Sequence, residues 1–118
     1  MRKKIWVVED DIDIAEIIKL ILSDESRDIS IFYDASSFRK AKRAIDADLL
    51  IMDVMLPDGN GIELCQELRG ECQLSLPILM MSANTAISSV QRVCKVNDFI
   101  AKPFDIDDFA QRIDKLLH

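Results

Sequence analysis

Four short, largely apolar runs in this sequence end in residues that can do chemistry. Ile5–Val8 runs into Glu9, Asp10 and Asp11; Leu49–Met52 into Asp53; Ile78–Met81 into Ser82; and Asp98–Ala101 into Lys102. Carboxylates are hard oxygen ligands suited to Mg²⁺, which also keeps several waters. A carboxylate with one free oxygen can act as a nucleophile. A metal ion and the Lys102 ammonium would neutralise charge developing on an incoming phosphoryl group. The Ser82 hydroxyl can donate to another phosphoryl oxygen. Each residue also has a plainer reading. Asp53 ends a strand and opens a turn, the acids at 9–11 suit a helix start, and Ser82 caps a helix. Lys102 fits the plain reading least, because a buried ammonium needs a counter-charge. Brought to one crevice, the acids repel one another, and a divalent cation would offset that cost.

For these groups to meet, the runs must lie side by side. Unbroken apolar runs of about four residues read as strands buried on both faces, the kind found in parallel sheets flanked by helices. Ile14, Ile17, Ile18, Ile21 and Leu22 share one helix face over roughly residues 12–24. Asp11 or Asp13 caps that helix, while Glu9 and Asp10 face the crevice. Ile29–Tyr33 reads as the second strand. Ser36 or Ser37 caps a second helix running to about Ile45. Its basic residues Arg39, Lys40, Lys42 and Arg43 read as a solvated face rather than a docking patch.

Gly59-Asn60-Gly61 is expected to take positive φ and open a third helix, whose inner face is Ile62, Cys65 and Leu68, fraying near Gly70. Pro77 opens the fourth strand. Residues 85–95 are weakly periodic, with Ala86, Val90 and Val93 or Cys94 the only apolar face. Ile106, Phe109, Ala110, Ile113 and Leu116 or Leu117 mark a last helix, capped by Asp105. Strand and helix thus alternate five times. The expected fold is α/β: a flavodoxin-like (βα)5 doubly wound parallel sheet of order 2-1-3-4-5. In such sheets ligands sit beyond the carboxyl ends of the strands, where Glu9, Asp10, Asp53, Ser82 and Lys102 fall.

The chain of 118 residues suits one domain, spanning 1–118. Its net charge of −6 and lack of a long basic run argue against nucleic-acid binding. No apolar stretch reaches membrane-spanning length. Met1-Arg2-Lys3-Lys4 is basic like a signal peptide, but the apolar run after it is too short for a signal core. Cys65, Cys72 and Cys94 are scattered, with no C-x-x-C. They are expected to be reduced thiols in a cytoplasm, not a disulfide frame or a zinc site.

Five motifs in order carry a resemblance. They are Val7-Val8-Glu9-Asp10-Asp11, Asp48-Leu49-Leu50-Ile51-Met52-Asp53, Met55-Leu56-Pro57-Asp58-Gly59-Asn60-Gly61, Met81-Ser82-Ala83 and Phe99-Ile100-Ala101-Lys102-Pro103-Phe104. Over essentially its whole length the chain resembles a response-regulator receiver domain, the CheY-like family of two-component and phosphorelay signalling. The resemblance implies that Asp53 is the phospho-acceptor, and that Ser82 and Lys102 contact the phosphoryl group. It implies that Asp10, Asp53 and the Met55 backbone carbonyl bind Mg²⁺, with Glu9 acting through water. The Lys102–Pro103 bond should be cis.

By burial alone Phe99 is a strand aromatic filling core. By resemblance it is the switch aromatic that follows Ser82 on phosphorylation, altering the surface of the last two helices and the fifth strand. The implied donor is a phosphohistidine on a sensor histidine kinase or a histidine phosphotransfer protein. The implied output is an effector domain or downstream protein met by that surface. A cytoplasmic monomer or phosphorylation-dependent dimer is expected, a switch that modifies itself rather than an enzyme. A start at Met1 directly before the first strand suggests a free-standing regulator or the amino-terminal piece of a longer one. The chain departs from its relatives between Asn84 and Asp98, which is slightly short and has Lys95-Val96 where Gly-Ala is usual. A short or irregular fourth helix is expected there.

Other readings fit less well. A haloacid-dehalogenase phosphatase wants a second aspartate two residues after the nucleophile, where Met55 stands. A flavodoxin wants a hydroxyl- and glycine-rich loop after strand one, and here that place is acidic. A P-loop is absent. A calcium loop over 53–61 puts Met55 and Pro57 at ligand positions. A degenerate receiver, acting only as a docking module, would usually have lost Asp53, an acid of the first pair, or Lys102; all are present.

Overall fold

Alternating side chains on each strand send one set of apolar residues to each face of a sheet, and two separate cores result. The computed structural model describes residues 2–72, 75–83 and 94–117. Its main sheet contains β1 (Lys3–Val8), β2 (Arg27–Phe32), β3 (Leu49–Asp53), β4 (Ile78–Ser82) and β5 (Asp98–Ala101). All neighbours are parallel and the order is β2-β1-β3-β4-β5, as the alternation of elements predicts. Ile5, Val7, Leu49, Ile51, Leu79 and Met81 pack on one face against Ile18 and Leu22 of α1 (Ile12–Leu22) and Phe109 and Ile113 of α4 (Ile106–Leu117). Val8, Leu50, Met52, Ile78 and Met80 pack on the other, against Phe38 of α2 (Ala35–Ala41) and Leu64 and Cys65 of α3 (Gly61–Glu67). Every residue of β3 and β4 is buried. No helix among the described residues is long and apolar enough to cross a membrane.

Local chemistry sets where the helices begin. Asp11 caps α1, accepting from the Ile14 amide at 3.1 Å. Asp105 accepts from the Asp108 amide at 3.0 Å at the start of α4. The cap of α2 is Asp34, which accepts from the Ser37 amide at 2.7 Å, and not Ser36 or Ser37. Those serines lie inside the first turn, because a carboxylate one residue before the helix takes the free amide first. The inner stripe of α1 is Ala15, Ile18 and Leu22, and Ile17 is 44% exposed. It sits about 100° around the helix from Ile18, so it leaves the sheet.

No glycine among the described residues has positive φ. The chain after Asp53 instead folds into a small antiparallel ribbon, Met55–Leu56 against Gly59–Asn60, and Asn60 caps α3 through the Glu63 amide at 2.8 Å. What Gly61 supplies is clearance: a Cβ there would overlap the Asp53 carbonyl oxygen and touch Met52. The helix expected over 85–95 falls largely on residues 84–93, outside the described residues.

Two further expectations are corrected. Cys65 and Cys94 are joined as a disulfide, with Cα atoms 6.2 Å apart. The inner face of α3 and the segment entering β5 meet in one core cluster, a proximity that spacing along the chain does not reveal. The basic face of α2 is not simply solvated. Arg39 and Lys42 both bond Glu67 of α3, at 2.9 and 2.7 Å, and the Lys42 side chain is 7% exposed.

Candidate functional site

Strand register brings the chemistry to one edge. Val8 pairs with Met52 and Asp53 with Met81, so Glu9 and Asp53 emerge level on neighbouring strands, with Ser82 one residue further along the next. Ser82 pairs with Ala101, and the next amide, that of Lys102, donates to the Ser82 carbonyl at 2.9 Å. The Lys102–Pro103 bond is cis. Glu9, Asp53 and Ser82 are buried, Asp10 is exposed at the rim, and Phe99 is buried in the cluster that holds Met80 and Cys65.

Lys102 reaches back over the crevice to two carboxylates. Its Nζ donates to Asp53 Oδ2 at 2.7 Å and to Glu9 Oε1. The other Asp53 oxygen, Oδ1, accepts from the Met55 amide at 3.1 Å. The other Glu9 oxygen accepts from the Asp11 amide at 3.2 Å. Each oxygen of Asp53 therefore has a donor, and the carboxylate is fixed in rotation. The Met55 side chain is 67% exposed; its amide, not its thioether, faces the site.

The electrostatics are lopsided. Carboxylate oxygens of Glu9, Asp10 and Asp53 all lie within 4.8 Å of one another, and the crevice offers them the Lys102 ammonium. Burial pushes Glu9 up to about 7, and the Asp53 charge adds to this, while the Lys102 bond pulls the other way. Burial works against the Lys102 charge, but its bonds to Asp53 and Glu9 outweigh it and hold its pKa above the ordinary lysine value. Three oxygen-bearing acids with a surplus of negative charge suit a hard divalent cation.

The described residues thus bring together Glu9, Asp10, Asp53 and Lys102, with the Met55 backbone in contact. Ser82 stands at the same sheet edge, and Phe99 lies behind, two residues back along β5 from the strand's end. Residue spacing missed Asp58, whose carboxylate binds the start of α2, and Arg112 of α4. The Arg112 guanidinium bonds Asp98 at 2.9 Å and the Phe99 carbonyl at 2.6 Å. Only the Asp108–Arg112 spacing of four on one helix face hinted at an ordered arginine there.

Residues 5–114 match the response regulator receiver domain family. The chain belongs to that family. It is 34% identical over 115 residues to the DNA-binding response regulator MtrA of Mycobacterium tuberculosis, covering 96% of this chain and 50% of that protein. It is 32% identical over 118 residues to the response regulator ArlR of Staphylococcus aureus, covering 97% and 52%. The receiver therefore spans about half the length of the curated relatives it matches.

Among solved structures, the response regulator TrrA of Thermotoga maritima, in complex with Mg²⁺ and BeF, superposes with a TM-score of 0.84. The two are 25% identical, with 97% of this chain and 98% of that one covered. A putative response regulator from Chloroflexus aurantiacus gives 0.88 at 26% identity, covering 99% and 98%. This is a receiver of two-component signalling, competent for phosphoryl transfer from histidine to aspartate. Receivers modify themselves rather than turn over an outside substrate.

Proposed function

We propose that residues 1–118 form one receiver domain in which Asp53 accepts the phosphoryl group. The observation that carries this is the pose of Asp53. It is a buried carboxylate at a strand tip, held by Lys102 at 2.7 Å on one oxygen and the Met55 amide at 3.1 Å on the other. A nucleophile fixed in rotation has already lost much of the entropy that an attack would otherwise cost. An Asp53 oxygen attacks phosphorus as the P–N bond of a phosphohistidine breaks, and the imidazole leaves. Lys102, already within bonding distance, transfers its ammonium to the new phosphoryl oxygens. Ser82, one residue beyond the partner of Asp53 on β4, donates to another.

Asp10 and Asp53 would hold Mg²⁺ with the Met55 carbonyl, and Glu9 would act through water. Bound there, the ion supplies positive charge that offsets repulsion among the carboxylates and shields the transferring group. TrrA, whose structure is a complex with Mg²⁺ and BeF, supports this reading. The donor is a sensor histidine kinase or histidine phosphotransfer protein. Phosphorylation draws Ser82 forward, Phe99 follows, and the surface of β5 and α4 changes for an effector domain or downstream protein. We place the receiver in the cytoplasm, as a monomer or phosphorylation-dependent dimer without nucleic-acid contacts of its own.

A small phosphodonor with Mg²⁺ tests the acceptor. Mass spectrometry should show one phosphoryl group on the wild type and none on Asp53→Asn. Equal labelling of both proteins refutes the assignment.

A further inference from the structure

Asp58 stands five residues beyond Asp53, on the tip of the ribbon, and its side chain is exposed. It nonetheless makes two bonds to another element. Oδ1 accepts from the Ala35 amide at 2.7 Å and Oδ2 from the Ser36 amide at 3.0 Å. These are two of the free amides of the first turn of α2, and that helix already has its own cap in Asp34. Asp58 is therefore not needed to start α2. The bonds run between two loops at the same sheet edge, the one after β2 and the one after β3.

The contact is built for closeness. Gly59, next to Asp58, packs on Ala35 so tightly that a Cβ would stand 3.3 Å from the Ala35 methyl. The anchor is itself braced, because Arg39 and Lys42 tie α2 to Glu67 of α3. From this anchor the ribbon leads straight to the acceptor. Leu56 pairs with Gly59 and Met55 with Asn60. The Gly61 amide donates to the Val54 carbonyl at 2.8 Å, closing the ribbon at its base. At the near end the Met55 amide holds Asp53 Oδ1.

We propose that Asp58 is a positioning residue: by clamping the ribbon tip to the start of α2, it holds the Met55 amide on the acceptor carboxylate. Resting on the reading of Asp53 as acceptor, it sets how well that carboxylate is aimed before any donor arrives. Charge-assisted hydrogen bonds are the stronger kind, and a small misplacement of a reacting group is costly in rate. Loss of both bonds frees the tip and lets the Met55 amide leave Oδ1 part of the time.

The test compares Asp58→Ala with Asp34→Ala. The second variant removes a cap from the same helix without touching the ribbon, so it reports what destabilising α2 does by itself. Two readouts are taken on intact protein: hydrogen exchange at the Met55 amide by NMR, and the rate of phosphorylation by acetyl phosphate at saturating Mg²⁺. Asp58→Ala is expected to speed Met55 exchange and slow phosphorylation, each by about fivefold, with Asp58→Asn between it and wild type because one acceptor oxygen remains. Asp34→Ala is expected to lower the melting temperature as Asp58→Ala does, but to leave both readouts near wild type. Met55 exchange unchanged in Asp58→Ala, or both readouts shifted equally by the two variants, overturns the positioning role. Labelling that persists in Asp53→Asn overturns the acceptor reading instead, and the exchange result still decides whether Asp58 holds the ribbon.

Discussion

Two clusters of charge differ in how well they are balanced. At the acceptor edge, the acids Glu9, Asp10 and Asp53 gather around Lys102. Between α2 and α3, the cations Arg39 and Lys42 converge on Glu67. In the helix pair two cations face two carboxylates, since Glu63 also lies 3.8 Å from Arg39, and the bonds of Glu67 to Arg39 and Lys42 outweigh burial and hold Glu67 down to about 2. At the acceptor edge the cation is scarce, and burial pushes Glu9 up to about 7. Similar residues at similar distances thus give a brace in one place and an unmet demand for positive charge in the other. The count of opposite charges within reach, not the presence of salt bridges, separates structure from function here.

That contrast can be broken from either side. The largest effect is expected in the brace: Glu67→Gln takes the carboxylate from a Lys42 side chain that is 7% exposed. It should cost about 2 kcal/mol in urea unfolding while slowing phosphorylation less than Asp58→Ala does, because the Asp58 clamp itself stays in place. A comparable loss of phosphorylation would show that the two clusters are not separate. Next is the effect of Mg²⁺, which the proposed function places at the acceptor edge. At tenfold its Kd it should add about 1.4 kcal/mol, raising the Tm of wild type and of Glu67→Gln alike, and doing so far less in Asp10→Asn. Equal shifts in all three proteins would remove the metal from the crevice.

The response to pH tests the sign of the contrast, because the clusters should respond in opposite directions. Glu9 binds its proton more tightly when folded, since about 7 lies above the ordinary 4.5. Its contribution is complete below pH 4.5 and is lost as pH rises towards 7, by at most about 1.4 kcal/mol per pH unit. Glu67 is the reverse: its contribution is present above pH 4.5 and is lost as pH falls towards 2. Urea midpoints in metal-free buffer check both. The decline from pH 5 to 7 should vanish in Glu9→Gln, and the decline at acid pH should shrink in Glu67→Gln. A wild-type stability that is flat between pH 5 and 7 contradicts the burial of Glu9.

The acceptor edge was legible because parallel sheets deliver function at strand ends. Glu9, Asp53, Ser82 and Lys102 each follow directly on a buried run, so naming the strands also placed the residues. Sheet order followed from the alternation of elements, and Asp11 and Asp105 were readable as caps. What stayed hidden depends on contacts between segments far apart in sequence. The Asp58 bonds to α2 span 23 and 22 residues, the Arg39–Glu67 pair 28, and Cys65–Cys94 29. No periodicity encodes such a meeting. The ribbon was missed for a different reason: two-residue strands are shorter than any pattern of alternation. Gly59 and Gly61, read as turn-makers, proved instead to be places of close approach, to the Ala35 methyl and to the Asp53 backbone.

Gly61 carries the practical consequence of such closeness. Because even a methyl group there would strike the Asp53 carbonyl, the acceptor peptide and the first residue of α3 travel as one body. Anyone building hybrid regulators by swapping loops should make the cuts before residue 53 and after residue 61, and carry the whole cassette across. A junction inside it would graft a helix onto a nucleophile that its new host cannot seat.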